Sequence, residues 1–219
     1  AGDRLGVVTK DGQIIYPDRQ LMLLATDVLS RHKGGTVIFD VKSSQRLAPA
    51  IRAAGGVPMI YKTGHSLIKA KMAEIGSPLA GEMSGHIFFA DKYYGYDDGL
   101  YAAVRLLGCI AGQDRSLADI RDSLPQPVNT PELRFPCDEI RKFAVVMEVA
   151  ARLREEGADV IDVDGVRVTT EDGWWLLRSS NTQDVLVARC EADDEAGLAR
   201  LRDALASQLA ASGMELPAF

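Results

Sequence analysis

Thr36-Val37-Ile38-Phe39-Asp40-Val41 is a β-branched apolar run of the kind that forms a buried strand, and the polar cluster Lys42-Ser43-Ser44 follows it directly. The pattern predicts a helix over 44–54 closed by Gly55-Gly56, and then a strand over 57–61. A helix over 66–75, capped by Ser66 and stopped by Gly76, and a short strand over 79–81 complete the series. Strand and helix alternate with short connections, which predicts a parallel sheet covered by helices. Ligand sites in such sheets lie beyond the carboxyl ends of the strands. Three polar clusters, 40–44, 63–66 and 81–86, each follow a predicted strand.

Outward from this block, residues 5–8 and 14–16 read as a short hairpin about the turn Lys10-Asp11-Gly12. Pro17 then opens a helix whose apolar stripe is Leu21, Leu24, Val28 and Leu29. Beyond His86 the pattern predicts a strand over 87–94, a helix capped by Asp97-Asp98 and running to about Gly112, and a helix from Ser116 to 124. The stretch 125–136 holds four prolines and no helical pattern, so a domain boundary is placed there. The second half changes character. A helix over 138–156 precedes short strands over 160–163, 166–170, 174–178 and 185–191, and an amphipathic helix over 194–211 closes the chain. The expected fold class is therefore α/β, a parallel or mixed-sheet α/β/α domain followed by a smaller α+β domain of antiparallel strands with helices on one face.

The chain has 219 residues, 47 % of them hydrophobic, with 31 acidic against 25 basic side chains. A chain of this length buries roughly 70 % of its unfolded surface without disulfides or metals. Its net charge of −6 argues against broad nucleic-acid binding, though a local pocket for a small anion is compatible with it. No apolar stretch reaches the roughly 20 residues of a membrane helix, and no secretory leader opens the sequence. The expectation is a soluble, cytoplasmic protein with no nucleic-acid or membrane partner. Cys109, Cys137 and Cys190 are odd in number and widely spaced, which predicts reduced core thiols. The apolar run at 5–8 starts with almost no lead-in, which reads as a cut chain, with removal of a methionine before Ala1 as the alternative.

Gly81-Glu82-Met83-Ser84-Gly85-His86 places a carboxylate, a hydroxyl and an imidazole between two glycines at a strand end. Glu82 and Ser84 are two apart and face the same way in an extended loop, suited to vicinal sugar hydroxyls; a polar turn is the plain alternative. Arg178-Ser179-Ser180-Asn181-Thr182 offers a bidentate fork and neutral donors to a phosphate, with a hydrophilic hairpin loop as its alternative. Lys42, Lys62 and His65 add cations and donors at the same sheet edge. No G-x-G-x-x-G or G-x-x-x-x-G-K-[ST] opens a helix, which sets aside a nucleotide-binding protein.

Together these clusters resemble the α-D-phosphohexomutase superfamily, in particular its bacterial phosphomannomutase/phosphoglucomutase branch, and the resemblance runs end to end onto only the second half of a four-domain chain. Residues 81–86 look like the family's sugar-recognition loop, Thr63-Gly64-His65-Ser66-Leu67-Ile68-Lys69 like a neighbouring substrate loop, and 178–182 like its phosphate loop. Tyr96-Asp97-Asp98-Gly99 and Asp164-Gly165-Val166-Arg167 are similar to further family segments. On this resemblance 1–8 is a remnant of the metal-loop strand of a preceding domain, 9–125 a sugar-recognition domain and 126–219 a phosphate-binding domain.

The resemblance implies roles. Glu82 and Ser84 would bind the 3- and 4-hydroxyls of the sugar, and Lys42 and His65 the hexose or its oxygens. Arg178, Ser180, Asn181 and Thr182 would hold the non-reacting phosphate. His86 would assist transfer as acid or base, and Arg4 would be the second catalytic residue. Such enzymes interconvert hexose 1-phosphates and 6-phosphates of glucose and mannose, through a phosphoserine and a hexose 1,6-bisphosphate that reorients, with Mg²⁺ as metal. The family's T-A-S-H-N-P serine loop is absent from the sequence, and of its D-G-D-G-D-R metal loop only Gly2-Asp3-Arg4 remains. Asp3 is then the one metal ligand, with Ala1 where an aspartate is expected. Gln183-Asp184 replaces the usual residue-proline pair of the phosphate loop. The implied partners are hexose phosphates and the N-terminal half of the same enzyme, and the chain alone is expected to bind rather than to turn over. The alternative is a stand-alone, non-catalytic sugar-phosphate-binding protein.

Overall fold

The structure, a computed structural model, describes residues 2–216. Ala1, and with it the expected aspartate position, lies outside the described residues. The chain forms two compact units, one ending at Gln126 and the other starting at Pro127. Gln126, expected with the second domain, falls in the first unit, where its Oε1 accepts a hydrogen bond from Arg19 Nη1 at 2.7 Å.

The first unit opens with the hairpin β1 (Val7–Val8) and β2 (Ile14–Ile15), followed by α1 (Pro17–Arg31), β3 (Thr36–Asp40), α2 (Leu47–Ala53), β4 (Val57–Tyr61) and α3 (His65–Ile75). β5 (Leu79–Gly81), β6 (Ile87–Phe89), α4 (Gly99–Ala111) and α5 (Leu117–Ser123) complete it. The sheet order is β4-β3-β5-β6, with β3, β4 and β5 parallel and β6 antiparallel to β5. Strand alternation builds the layers. Val37 and Phe39 join Leu21, Leu47, Ile51 and Leu106 in one core, while Ile38 joins Ile68, Met72, Ala80 and Phe88 in another. Helices α1, α2 and α4 thus cover one face and α3 the other. At Gly81 a side chain would meet Leu21 Cδ2 at 2.8 Å, so this glycine lets α1 lie close on β5.

Local differences from the sequence reading have local causes. Helix α3 starts at His65 with Gly64 at its cap position (φ 140°), and Ser66 lies inside its first turn. Strand β6 ends at Phe89 because the amides of Ala90 and Asp91 both turn back to the carbonyl of Pro78. Asp98 caps α4 by accepting from the Tyr101 amide at 2.9 Å.

The second unit holds β7 (Val128–Asn129), β8 (Leu133–Pro136), α6 (Glu139–Glu155), β9 (Asp159–Ile161), β10 (Val166–Thr170), β11 (Gly173–Ser179), β12 (Val185–Ala192) and α7 (Glu195–Ala210). Its antiparallel sheet runs β7-β12-β11-β10-β9, with β8 also paired to β12. The proline-rich stretch therefore contributes two edge strands where no element was predicted. Prolines are tolerated there because an edge strand leaves one side of its backbone unpaired. Trp175, Leu177, Ala188 and Cys190 meet Val145, Val149, Leu201 and Leu205 of α6 and α7 in one core. Burial pushes the Cys190 thiol up to about 12. Among the described residues, no helix is long and apolar enough to cross a membrane.

Candidate functional site

In the first unit, β5 and β6 are joined by a tight turn in which the Glu82 amide donates to the His86 carbonyl at 2.9 Å and the Gly85 amide to the Glu82 carbonyl at 3.0 Å. Gly85 has φ 97°, and a side chain there would press on the Leu5 carbonyl, so the turn needs glycine. The N-terminal segment docks on it: the Leu5 amide donates to the Gly85 carbonyl at 3.0 Å, and Arg4 pairs with His86 as an isolated bridge.

Three side chains converge as a result. The buried Glu82 accepts from the Gly64 amide through Oε1 at 2.6 Å and from the Ser84 hydroxyl through Oε2 at 3.2 Å, while His86 Nδ1 lies 2.9 Å from Oε2. Burial works to raise the Glu82 pKa, but the hydrogen bonds from His86, Gly64 and Ser84 outweigh it and hold the carboxyl below its ordinary value. The same contact with Glu82 raises the pKa of His86, against burial and the Arg4 charge. Since a carboxylate only accepts, Nδ1 of His86 carries a proton and its Nε2 edge is turned toward Asp3 (3.3 Å) and Asp97 (3.8 Å).

Lys42 and His65 reach the same strand ends by different routes. Asp40, fully buried at the end of β3, accepts from the Ser43 hydroxyl at 2.8 Å and from the Met83 amide at 3.2 Å, and its Oδ2 faces Lys42 Nζ at 3.9 Å. Burial raises the Asp40 pKa and the nearby Lys42 charge opposes that rise. Asp40 thereby ties the Lys42 loop to the Glu82 loop. His65 stands at the first position of α3, half exposed, with its ring 5.8 Å from that of His86. The Arg4 side chain is exposed, and its backbone is what the turn uses.

Oxygen and nitrogen atoms of Asp3, His86 and Asp97 lie within 4.8 Å of one another. The set does not fit Mg²⁺, which demands an octahedron of hard oxygens: one donor is an imidazole nitrogen, and Asp97 is already engaged by Lys69 at 2.9 Å.

In the second unit Arg178 is buried on β11, and its guanidinium is held by Asp164, Nε to Oδ2 at 3.0 Å and Nη2 to Oδ1 at 3.3 Å. Gly165, with φ 87°, lets that turn lie on the Arg178 backbone, since a Cβ there would come within 2.6 Å of Arg178 Cβ. The Ser180 hydroxyl accepts from the amides of Thr182 (3.3 Å) and Gln183 (3.2 Å), which folds 180–183 into a compact turn with Asn181 and Thr182 exposed. Asp184 is met by Lys142 Nζ at 3.2 Å, which offsets the carboxylate next to this loop. The sequence reading places Asp40 in a polar cluster, Asp97 in a helix cap and Asp164 in a family-like segment, but gives none of them a task in orienting the site residues. The signal for Asp164 was the Asp-Gly turn, whose required positive φ marks a close backbone approach.

Two family models match the chain: the phosphoglucomutase/phosphomannomutase alpha/beta/alpha domain III over residues 16–128, and the phosphoglucomutase/phosphomannomutase C-terminal domain over residues 132–208. A phosphoglucomutase of Neisseria gonorrhoeae is 51 % identical over 203 residues, 92 % of this chain and 44 % of that protein. A phosphomannomutase/phosphoglucomutase of Pseudomonas aeruginosa is 47 % identical over 216 residues, 99 % of this chain and 47 % of its own length. A crystal structure of a phosphoglucomutase/phosphomannomutase family protein from Burkholderia thailandensis superposes with TM-score 0.91 at 50 % identity, covering 99 % of this chain and 46 % of that one. The chain thus spans about half the length of these relatives. A domain III match and a C-terminal domain match, in that order along one sequence, establish that it belongs to the phosphoglucomutase/phosphomannomutase family.

Proposed function

We propose that the chain supplies the sugar-reading and phosphate-holding part of a phosphohexomutase that interconverts hexose 1-phosphate and hexose 6-phosphate through a hexose 1,6-bisphosphate, the phosphoserine lying outside this chain. The observation that carries this reading is the convergence of Glu82, Ser84 and His86 on one turn, with Lys42 tied to the same turn through Asp40. Glu82 Oε1 accepts from the Gly64 amide and keeps its second lone pair for a sugar hydroxyl, Ser84 is beside it, and Lys42 and His65 meet hexose or phosphate oxygens. His86, whose Nδ1 is anchored on Glu82, exchanges a proton with the reacting oxygen through Nε2. Arg4 adds positive charge beside that atom, and Asp3 contributes one oxygen to a Mg²⁺ site whose other ligands come from elsewhere.

Arg178, Ser180, Asn181 and Thr182 hold the phosphate that is not being transferred. Arg178 is suited to it because its fork is already oriented by Asp164. Hexose phosphates and the remaining part of the enzyme are the partners, in the cytoplasm. Backbone amide shifts recorded while the chain is titrated with glucose 1-phosphate, inorganic phosphate and glucose test the reading. Residues 178–182 should move with both phosphates and stay still with glucose. Equal responses to glucose and its phosphate, or shifts confined to another surface, overturn it.

A further inference from the structure

Lys69 lies one helical turn after His65 on α3, in the motif read at 63–69, and the proposed function gives it no task. Its ammonium makes two contacts, with Asp97 Oδ1 at 2.9 Å and with His65 Nδ1 at 3.2 Å. Asp97 is nearly buried, with a side chain 9 % exposed, and its backbone is pinned by the bridge to Phe88. Burial works against its charged form, but the Lys69 hydrogen bond, a backbone hydrogen bond and the Lys69 and His86 charges together outweigh it and hold the carboxyl below its ordinary value. Lys69 therefore has a fixed anionic anchor on one side and the imidazole on the other.

The direction of the second contact follows from chemistry. An ammonium has three donors and no acceptor, so the His65 Nδ1 facing it must offer a lone pair. The proton of the neutral ring is then on Nε2. Asp97 Oδ2, at 3.9 Å from Nδ1, is beyond hydrogen-bond reach. The Gly64 amide bonded to Glu82 fixes the backbone from which the ring projects.

We propose that Lys69 is a positioning residue that fixes His65 as its Nε2–H tautomer, so that the ring presents an N–H donor to hydroxyl or phosphate oxygens. The proposal rests on the proposed function only for what the ring faces; the tautomer itself is a property of this chain. Without the lysine nothing favours a lone pair on Nδ1, the Asp97 carboxylate 3.9 Å away draws a proton toward it, and the Nδ1–H form gains population. His65 would then present an acceptor for part of the time and repel an anionic oxygen.

The chain contains three histidines, so selective ¹⁵N labelling of histidine in the full chain yields three ring systems, assigned by substituting His32 and His86 in turn. Long-range ¹H–¹⁵N correlation well above the ordinary imidazole titration range should show His65 Nδ1 unprotonated and Nε2 protonated. Lys69→Met should draw both ring nitrogens toward the averaged shifts of free imidazole while the α3 amide shifts stay in place, and Lys69→Arg should restore the wild-type pattern. A protonated Nδ1 in the wild type, or ring shifts unmoved by Lys69→Met in a folded chain, overturns the proposal. Inorganic phosphate and glucose 1-phosphate separate the two conclusions. If the ring behaves as stated but no residue of the chain responds to either ligand, the functional reading fails and the tautomer assignment stands. If the ligands shift 178–182 but Lys69→Met leaves the ring unchanged, the reverse holds.

Discussion

His86 Nδ1 lies 2.9 Å from Glu82 Oε2, two side chains four residues apart in one turn, both buried. The pair gives each residue a second task. Glu82 orients the imidazole as well as offering an acceptor to a sugar, and it also holds the Gly64 amide at the start of α3.

Replacing Glu82 with alanine should therefore cost more than one sugar contact. Loss of a charge-assisted acceptor alone weakens binding by about 1.5–3 kcal/mol. Glu82→Ala should weaken glucose 1-phosphate binding by at least this, and His86 should shift its titration downward, since the contact that raises it is gone. A calorimetric titration and a histidine pH titration of the folded variant check both. Unchanged binding together with an unchanged His86 would remove Glu82 from the site.

Arg178→Ala should weaken phosphate binding about 10- to 150-fold, the equivalent of about 1.5–3 kcal/mol for a bidentate charge-assisted contact. Arg178→Lys should recover only part, because a point charge cannot reproduce the fork held by Asp164. Phosphate titrations followed at the amides of residues 178–182 measure this, and wild-type phosphate affinity in the lysine variant would count against bidentate anchoring.

Gly165→Ala tests whether the Asp164 turn sets that fork. The added methyl collides with Arg178 Cβ and imposes φ 87° on an L residue. A strained position of this kind costs roughly 1–3 kcal/mol. Denaturant unfolding should show the loss, and the variant should bind phosphate more weakly than wild type. A variant as stable as wild type would show that the turn relaxes freely.

Acid should loosen the first unit through Asp27 and Asp91. Hydrogen bonds from Arg31 and then Arg105 outweigh burial and bring the Asp27 pKa to about 2; at Asp91 burial pulls upward, and Arg31, His32 and Arg105 together bring the pKa well below the carboxylate range. Both values lie below the unfolded value of about 3.9, so this stabilisation is complete above about pH 4 and is lost as pH falls through the folded values. Urea midpoints measured from pH 6 down to about 2 should drop most in the lowest part of that range. Asp91→Ala should cost roughly 3–5 kcal/mol at neutral pH, because it leaves Arg31 and Arg105 short of a buried partner, and should flatten the acid dependence. A variant that keeps the wild-type slope would place the acid-sensitive groups elsewhere.

What could be read along the chain was whatever has a short-range cause. The run at 36–41 is β-branched and apolar, the stripe of Leu21, Leu24, Val28 and Leu29 has helical spacing, and Asp98, Ser116, Asp138 and Asp194 sit where side chains cap helices. Each of these signals acts within one or two turns of chain, so the order of elements and the α/β then α+β character followed from it. The strands at 128–129 and 133–136 were invisible because their reason to be extended is the β12 edge, far along the sequence.

The loops bearing Glu82 and Arg178 could be found because several reactive residue types crowd into six or five positions. Their working geometry could not. Asp40 reaches Met83 across 43 positions, Gly64 reaches Glu82 across 18, and Asp164 reaches Arg178 across 14. Which carboxylate meets which donor is decided by strand register and by the layering of helices on the sheet, neither of which leaves a periodic trace in the sequence. The residue types that can bind a sugar phosphate were thus legible from the chain itself, while the buried aspartates that orient them, and the Lys69 contact on His65, exist only once the fold has brought distant segments within hydrogen-bond reach.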